Sequence, residues 1–319
     1  MNKLNGLTIQ AYNHVKHKVF TIKKDGFDGR LIESAAYFPD EIREKALFLK
    51  WVFTTEFHLA DVSLNVRYIT DDANGAAFKE MLVGSQCIIN VLSSLKPCPR
   101  RYLYMTLIDI DLPKKVRWAD IPTSMNVNTG FTAGDTIYVY RREEMMKVII
   151  HELVHFWEFK LHDYYNSELT DYFGVVSTPI NFNEGYVDSI AMVLNVALVC
   201  AKRGLNFKIT WRKEFQHVMN QAVCVSANQW ACEHNYEKTN TMSYYVVKAA
   251  LYCAGSTYWS LLRRYNYNLN NMIGVNAFYN ILKHELTTED SRFWKSMKLA
   301  HAKRGLCISG DTMKMSSVI

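Results

Sequence analysis

The chain has 319 residues, of which 49% are hydrophobic and 13% aromatic. Such a composition excludes a disordered or low-complexity chain and supplies ample material for a packed core in one large domain or two modest ones. The formal net charge of +6 is spread over short basic pairs such as "TIKKDG" and "PKKVR". It describes a solvated, mildly basic surface, not the clustered cations and exposed aromatics of a nucleic-acid-binding protein.

Seven cysteines, at positions 87, 98, 200, 224, 232, 253 and 307, show no CxxC spacing. Their odd number argues against a disulfide framework and for reduced thiols in a cytoplasmic or otherwise intracellular setting. No apolar run near the N-terminus resembles a signal peptide. The most apolar stretch, residues 185–200, contains Asp188 and Asn195 and reads as a buried helix rather than a membrane span.

In chain order, residues 40–60 read as helix. Residues 72–95 do too, with Asp71 or Asp72 as the cap. The alternation in "RYLYMTLIDIDL" (101–112) predicts a strand. "SMNVNTGFTAGDTIYVYRR" (124–142) predicts strand, turn and strand, with Gly130, Gly134 and Asp135 supplying the turn. A helix begins near Glu143, its two acids suiting the positive end of the helix dipole. A loop with Gly174 and Pro179 follows, helix resumes near Asn183, and helical patterns dominate from 205 onward. The fold class expected is α+β: a small mixed sheet with one central helix, followed by a mainly α-helical half. A soft domain boundary is expected near 165–166, dividing 1–165 from 166–319, within what could equally be one domain.

The predicted helix from Glu143 contains "HELVH" at 151–155. One helical turn separates positions i and i+4, so His151 and His155 aim their imidazoles at one point, where they can occupy two corners of a metal's tetrahedron. Glu152 lies beside that point, placed to take a proton from a water there. The flanks, from Val148 to Phe159, are apolar on nearly all sides, which predicts a buried helix. Buried histidine and glutamate need partners, and a metal provides one.

A third ligand is available in "NFNEGYVDS" (181–189), where Glu184 opens the next helix and Asp188 follows on the same face. Asp188 can accept the free ring N–H of His151 and fix its tautomer. The competing reading makes Asn183, Glu184 and Asp188 mere helix-terminal residues. His162 and Asp163 are alternative third ligands.

HExxH followed by N-E-x-x-x-D resembles the gluzincin zinc metallopeptidases, the thermolysin-like clan. The match covers residues 124–190, about a fifth of the chain. The resemblance implies a zincin-like fold, with Zn2+ held by His151, His155 and Glu184. It makes Glu152 the general base, Asp188 the support of a ligand histidine and a peptide or protein the substrate. The segment "SMNVNTG", with Asn126 and Asn128, would be the sheet edge that pairs with an extended peptide. The pattern around 124–155 also resembles metallopeptidase-like proteins of large DNA viruses. The segment between His155 and Glu184 is longer than the thermolysin-like spacing.

The resemblance also implies an oxyanion donor from the C-terminal half. Candidates are Tyr244, Tyr245 and His234, with Tyr245 the choice among them. The alternative class is a catalytically silent zincin fold serving as a structural or interaction protein. The presence of Glu152 argues against it, since a scaffold has no use for a base at that position.

Overall fold

The computed structural model describes residues 1–29, 38–59, 61–114, 127–161, 180–231, 240–304 and Ser317. It is mixed α/β, with a six-stranded sheet and ten α-helices among the described residues. Helix α1 spans Asn2–Val15, β1 Lys23–Gly26, α2 Asp40–Ala46, β2 Trp51–Leu59 and β3 Val62–Thr70. Helix α3 spans Ala76–Leu95, followed by β4 (Tyr102–Ile108), β5 (Gly130–Ala133) and β6 (Thr136–Val139). Then come α4 (Met145–Phe156), α5 (Phe182–Arg203) and α6 (Phe207–Ala231). A π-helical turn at Ser243–Val247 precedes α7 (Lys248–Cys253), α8 (Ser256–Arg264), α9 (Met272–Thr287) and α10 (Arg292–Arg304).

The sheet order is β1-β2-β3-β4-β6-β5. Strands β3, β4 and β6 are parallel, and β1, β2 and β5 each pair antiparallel with a neighbour. A parallel pair needs a crossover, and α3 provides it between β3 and β4. Period-two burial makes this possible. Leu64, Val66 and Tyr68 of β3 and Leu103, Met105 and Leu107 of β4 are buried, while Tyr102 and Tyr104 face outward. Each fully buried aliphatic side chain contributes about 1.5–3 kcal/mol.

Residues 51–59 form a strand rather than continuing the helix expected over 40–60. The β-branched and aromatic residues of "WVFTTEF" bury Phe53 and Thr55 on one face while pairing along the full length of β3. Helix α3 starts at Ala76 behind Gly75, whose φ of +59° suits glycine. Asp72 instead closes a turn by accepting from the Asn74 N–H. Gly134 (φ +57°) opens the two-residue hairpin loop between β5 and β6, as that turn requires. Gly130 lies within β5 rather than in a turn. A Cβ there would meet the Tyr138 carbonyl oxygen at 2.5 Å.

One hydrophobic cluster runs from Leu4 to Ala300 and joins α1, α3, the sheet and the C-terminal helices. The boundary expected at 165–166 falls outside the described residues. Helix α5 is apolar and long enough, by length and composition, to cross a membrane, yet 89% of its most apolar window is buried in this core. The expectation of uniformly reduced thiols needs correction at one position. Cys224 is disulfide-bonded, while Cys87, Cys98, Cys200 and Cys253 are free. Pairing depends on how closely the fold brings two cysteines together, which spacing in sequence does not show.

Candidate metal centre

Helix α4 lies between strands β5 and β6 and helix α3 on one side and α5 on the other. Its cap is Glu144, in left-handed backbone (φ 63°), whose carboxylate forms a fully buried ion pair with Lys114 at 3.0 Å. The acids at 143 and 144 therefore precede the helix, which has no acid in its first turn. After Phe156 the chain turns at Trp157 and Glu158, and the Leu161 N–H donates to Asn183 Oδ1 at 2.8 Å. Asn183 is thus no helix cap. It ties the chain leaving α4 to the first turn of α5 and so delivers Glu184 to the histidines.

His151 Nε2 and His155 Nε2 are 3.1 Å apart, and Glu184 Oε2 lies 3.2 Å from the first and 3.3 Å from the second. These three atoms form a nearly equilateral triangle that could hold a metal ion. A neutral His151 does not satisfy it. The His151 Nδ1 atom pairs with Asp188 Oδ1 at 3.0 Å. With that N–H donated to Asp188, a neutral His151 turns a bare lone pair on Nε2 toward a carboxylate. Positive charge resolves the arrangement, either as a proton on His151 Nε2 or as a metal ion that displaces it. The ligands are accessible in a graded way, with His151 6%, Glu184 15% and His155 22% exposed.

The electrostatics agree. Burial alone would lower the His151 pKa, but hydrogen bonds to Asp188 and Glu184 overcome it and raise the value to about 9. Burial would raise Glu184, yet the two histidines hold it well below the usual carboxylate range. Asp188 is completely buried and also held low, because Lys147 and Lys248 both pair with it in addition to His151. Lys248 Nζ lies 2.6 Å from Asp188 Oδ2, and Lys147 reaches Oδ1. The expected support of His151 is therefore one arm of a four-residue buried network.

Glu152 is 6% exposed, and its Oε2 accepts from Thr132 Oγ1 of edge strand β5 at 2.7 Å. The edge strand itself is Gly130–Ala133, not "SMNVNTG". Val127 is helical, and only Gly130 of that segment belongs to the strand. Asn128 lies two residues before the strand, half-buried, and Asn126, His162, Asp163 and His234 lie outside the described residues.

The choice of Tyr245 is corrected. Tyr244 faces the centre: its hydroxyl donates to Glu184 Oε2 at 3.1 Å, and its ring lies edge-on to His151 with centroids 5.8 Å apart. Tyr245 is 1% exposed and packs within the core, its ring beneath the Lys248 ammonium. Neighbouring residues of a helix point in different directions, so of the two tyrosines in the π-helical turn only Tyr244 reaches the centre. Gly185 makes room for this turn against α5. A Cβ on it would meet Val247 Cγ1 at 2.7 Å and the Ser243 carbonyl oxygen at 2.9 Å.

Four residues of this site carry little or no motif signal. Thr132 and Tyr244 reach it only through tertiary packing. Lys248 likewise arrives through packing, whereas Lys147 stands out in part because it precedes His151 by four residues on the same helix face within an otherwise apolar flank.

No protein-family model matches the chain, and no curated protein matches it. On its own geometry the centre is a His-His-Glu group able to hold a metal ion, set at a helix pair beside a sheet edge.

Proposed function

We propose that this chain is a zinc-dependent metallopeptidase of zincin-like fold, with His151, His155 and Glu184 as the zinc ligands. The observation that carries the reading is the triangle of ligand atoms with edges of 3.1–3.3 Å, next to a carboxylate one residue along the same helix. A tetrahedron with zinc–ligand bonds of about 2.0–2.1 Å has edges of about 3.3 Å. Two imidazoles and a carboxylate leave one corner open, the donor set and vacancy of a catalytic rather than a structural zinc site.

Zinc, when bound, supplies a Lewis acid that polarises a carbonyl and makes a water acidic near neutral pH. Glu152 accepts a proton from the attacking water and later delivers it to the leaving amine. The Thr132 hydroxyl holds one oxygen of that carboxylate in place and leaves the other for proton transfer. Tyr244, its phenol raised well above the ordinary value by burial and by the charges of Glu184 and Glu152, stays protonated at neutral pH. It can therefore donate to the oxyanion that forms as the carbonyl is attacked. Strand β5 ends the sheet order, the position at which an extended peptide can add a strand.

The test is Glu152→Gln measured against a fluorogenic casein digest, with metal content determined in parallel. The reading expects zinc retained and hydrolysis lost. Hydrolysis undiminished in E152Q would refute it, as would no hydrolysis by the zinc-loaded wild type against any member of a peptide library.

A further inference from the structure

A second recess, of about 700 Å³, opens between α1, α3, the first turn of α4 and the last turns of α5. None of the three candidate metal ligands lines it. Its volume falls within the range of pockets that take small molecules. Phe20, Met81, Met145, Met146 and Leu198 form an apolar floor. Three of these are methionines, whose flexible thioethers adapt to an irregular chain.

Charged side chains line the recess as well, some buried (Asp109, Glu144, Lys147) and some exposed. Seven basic side chains and three carboxylates line the recess, and each carboxylate is already engaged. Asp109 takes Arg142, Glu144 takes Lys114, and Glu80 takes Lys202. Lys16, Lys18 and Lys79 are exposed at the recess with no carboxylate at ion-pairing distance among the described residues. The surplus is positive, beside the methyl and thioether groups of Met81, Met145, Met146 and Leu198.

We propose that this recess binds a single-chain anionic amphiphile, with the acyl chain on the methionine floor and the carboxylate or phosphate head at Lys16, Lys18 and Lys79. None of the three candidate metal ligands lines the recess, so its test is run with a chelator present and does not depend on peptidase activity.

The experiment is calorimetric titration of the delipidated full-length chain with palmitate, hexadecanol and inorganic phosphate. Palmitate should bind once per chain, with hexadecanol and phosphate each at least about tenfold weaker, since chain and charge both contribute. The triple variant Lys16→Glu/Lys18→Glu/Lys79→Glu changes only exposed side chains and should fold normally by circular dichroism. It should bind palmitate at least about tenfold more weakly, a deficit that shrinks as salt rises. Met146→Trp, which fills the floor, should also weaken palmitate while leaving weak phosphate binding unchanged. Absence of saturable one-to-one binding would overturn the proposal. So would phosphate binding as tightly as palmitate, or palmitate affinity retained in both variants.

Discussion

Asp188→Asn removes the single negative charge on which two buried ammonium groups and one imidazole converge. Lys147 and Lys248 have side chains 2% and 1% exposed, so neither can turn to solvent when the carboxylate is gone. Breaking a buried ion pair from one side typically costs about 3–5 kcal/mol, because the remaining charge stays buried and unpaired. With two cations left behind, the upper part of that range is expected, corresponding to a fall in Tm of roughly 10 °C. The assay is urea unfolding of wild type and D188N, both in chelator so that metal binding does not enter. The deficit should shrink as pH rises. Burial already lowers the Lys248 pKa and Asp188 is what holds it up, so in the variant the unfolded state binds more protons and stability increases with pH through that range. A D188N protein within about 1 kcal/mol of wild type at pH 7, against the range above, or a deficit that grows with pH, would refute this reasoning.

Tyr244→Phe should lower kcat about a hundredfold or more, the loss of one oxyanion donor, with zinc still bound. Tyr245→Phe should leave kcat within a few-fold, so steady-state kinetics on the pair separates the two tyrosines. Gly185→Ala should destabilise the chain by about 1–3 kcal/mol by forcing α5 away from the π-helical turn, read by denaturant unfolding.

The helix bearing the two histidines was legible because its apolar flanks and the i, i+4 spacing fix both element and face. Glu184 and Asp188 followed because a helix start places them on one side. Geometry set by irregular backbone was not legible. Nothing in "TMSYYVVKAALY" tells which of two adjacent tyrosines faces α5; the fold turns Tyr244 toward Glu184 and Tyr245 into the core. Residues 51–59 were misread because a short apolar run after a helix lacks a period that separates strand from helix. Thr132 carries no motif at all: it reaches Glu152 only because β6 holds β5 at the sheet edge above α4. The lysines on Asp188 come from α4 and α7, brought together by packing that one sequence cannot reveal.

The central claim is that His151, His155 and Glu184 share one cation. Titration of metal-free chain with zinc at pH 7, repeated in buffers of different ionisation enthalpy, tests it most directly. His151, raised to about 9, carries a proton at pH 7 in the metal-free state. Zinc must displace it, so the account predicts one zinc per chain, release of about one proton on binding, and loss of the high-affinity phase in His155→Ala. Zinc binding with no proton release, or with unchanged affinity in H155A, would contradict it.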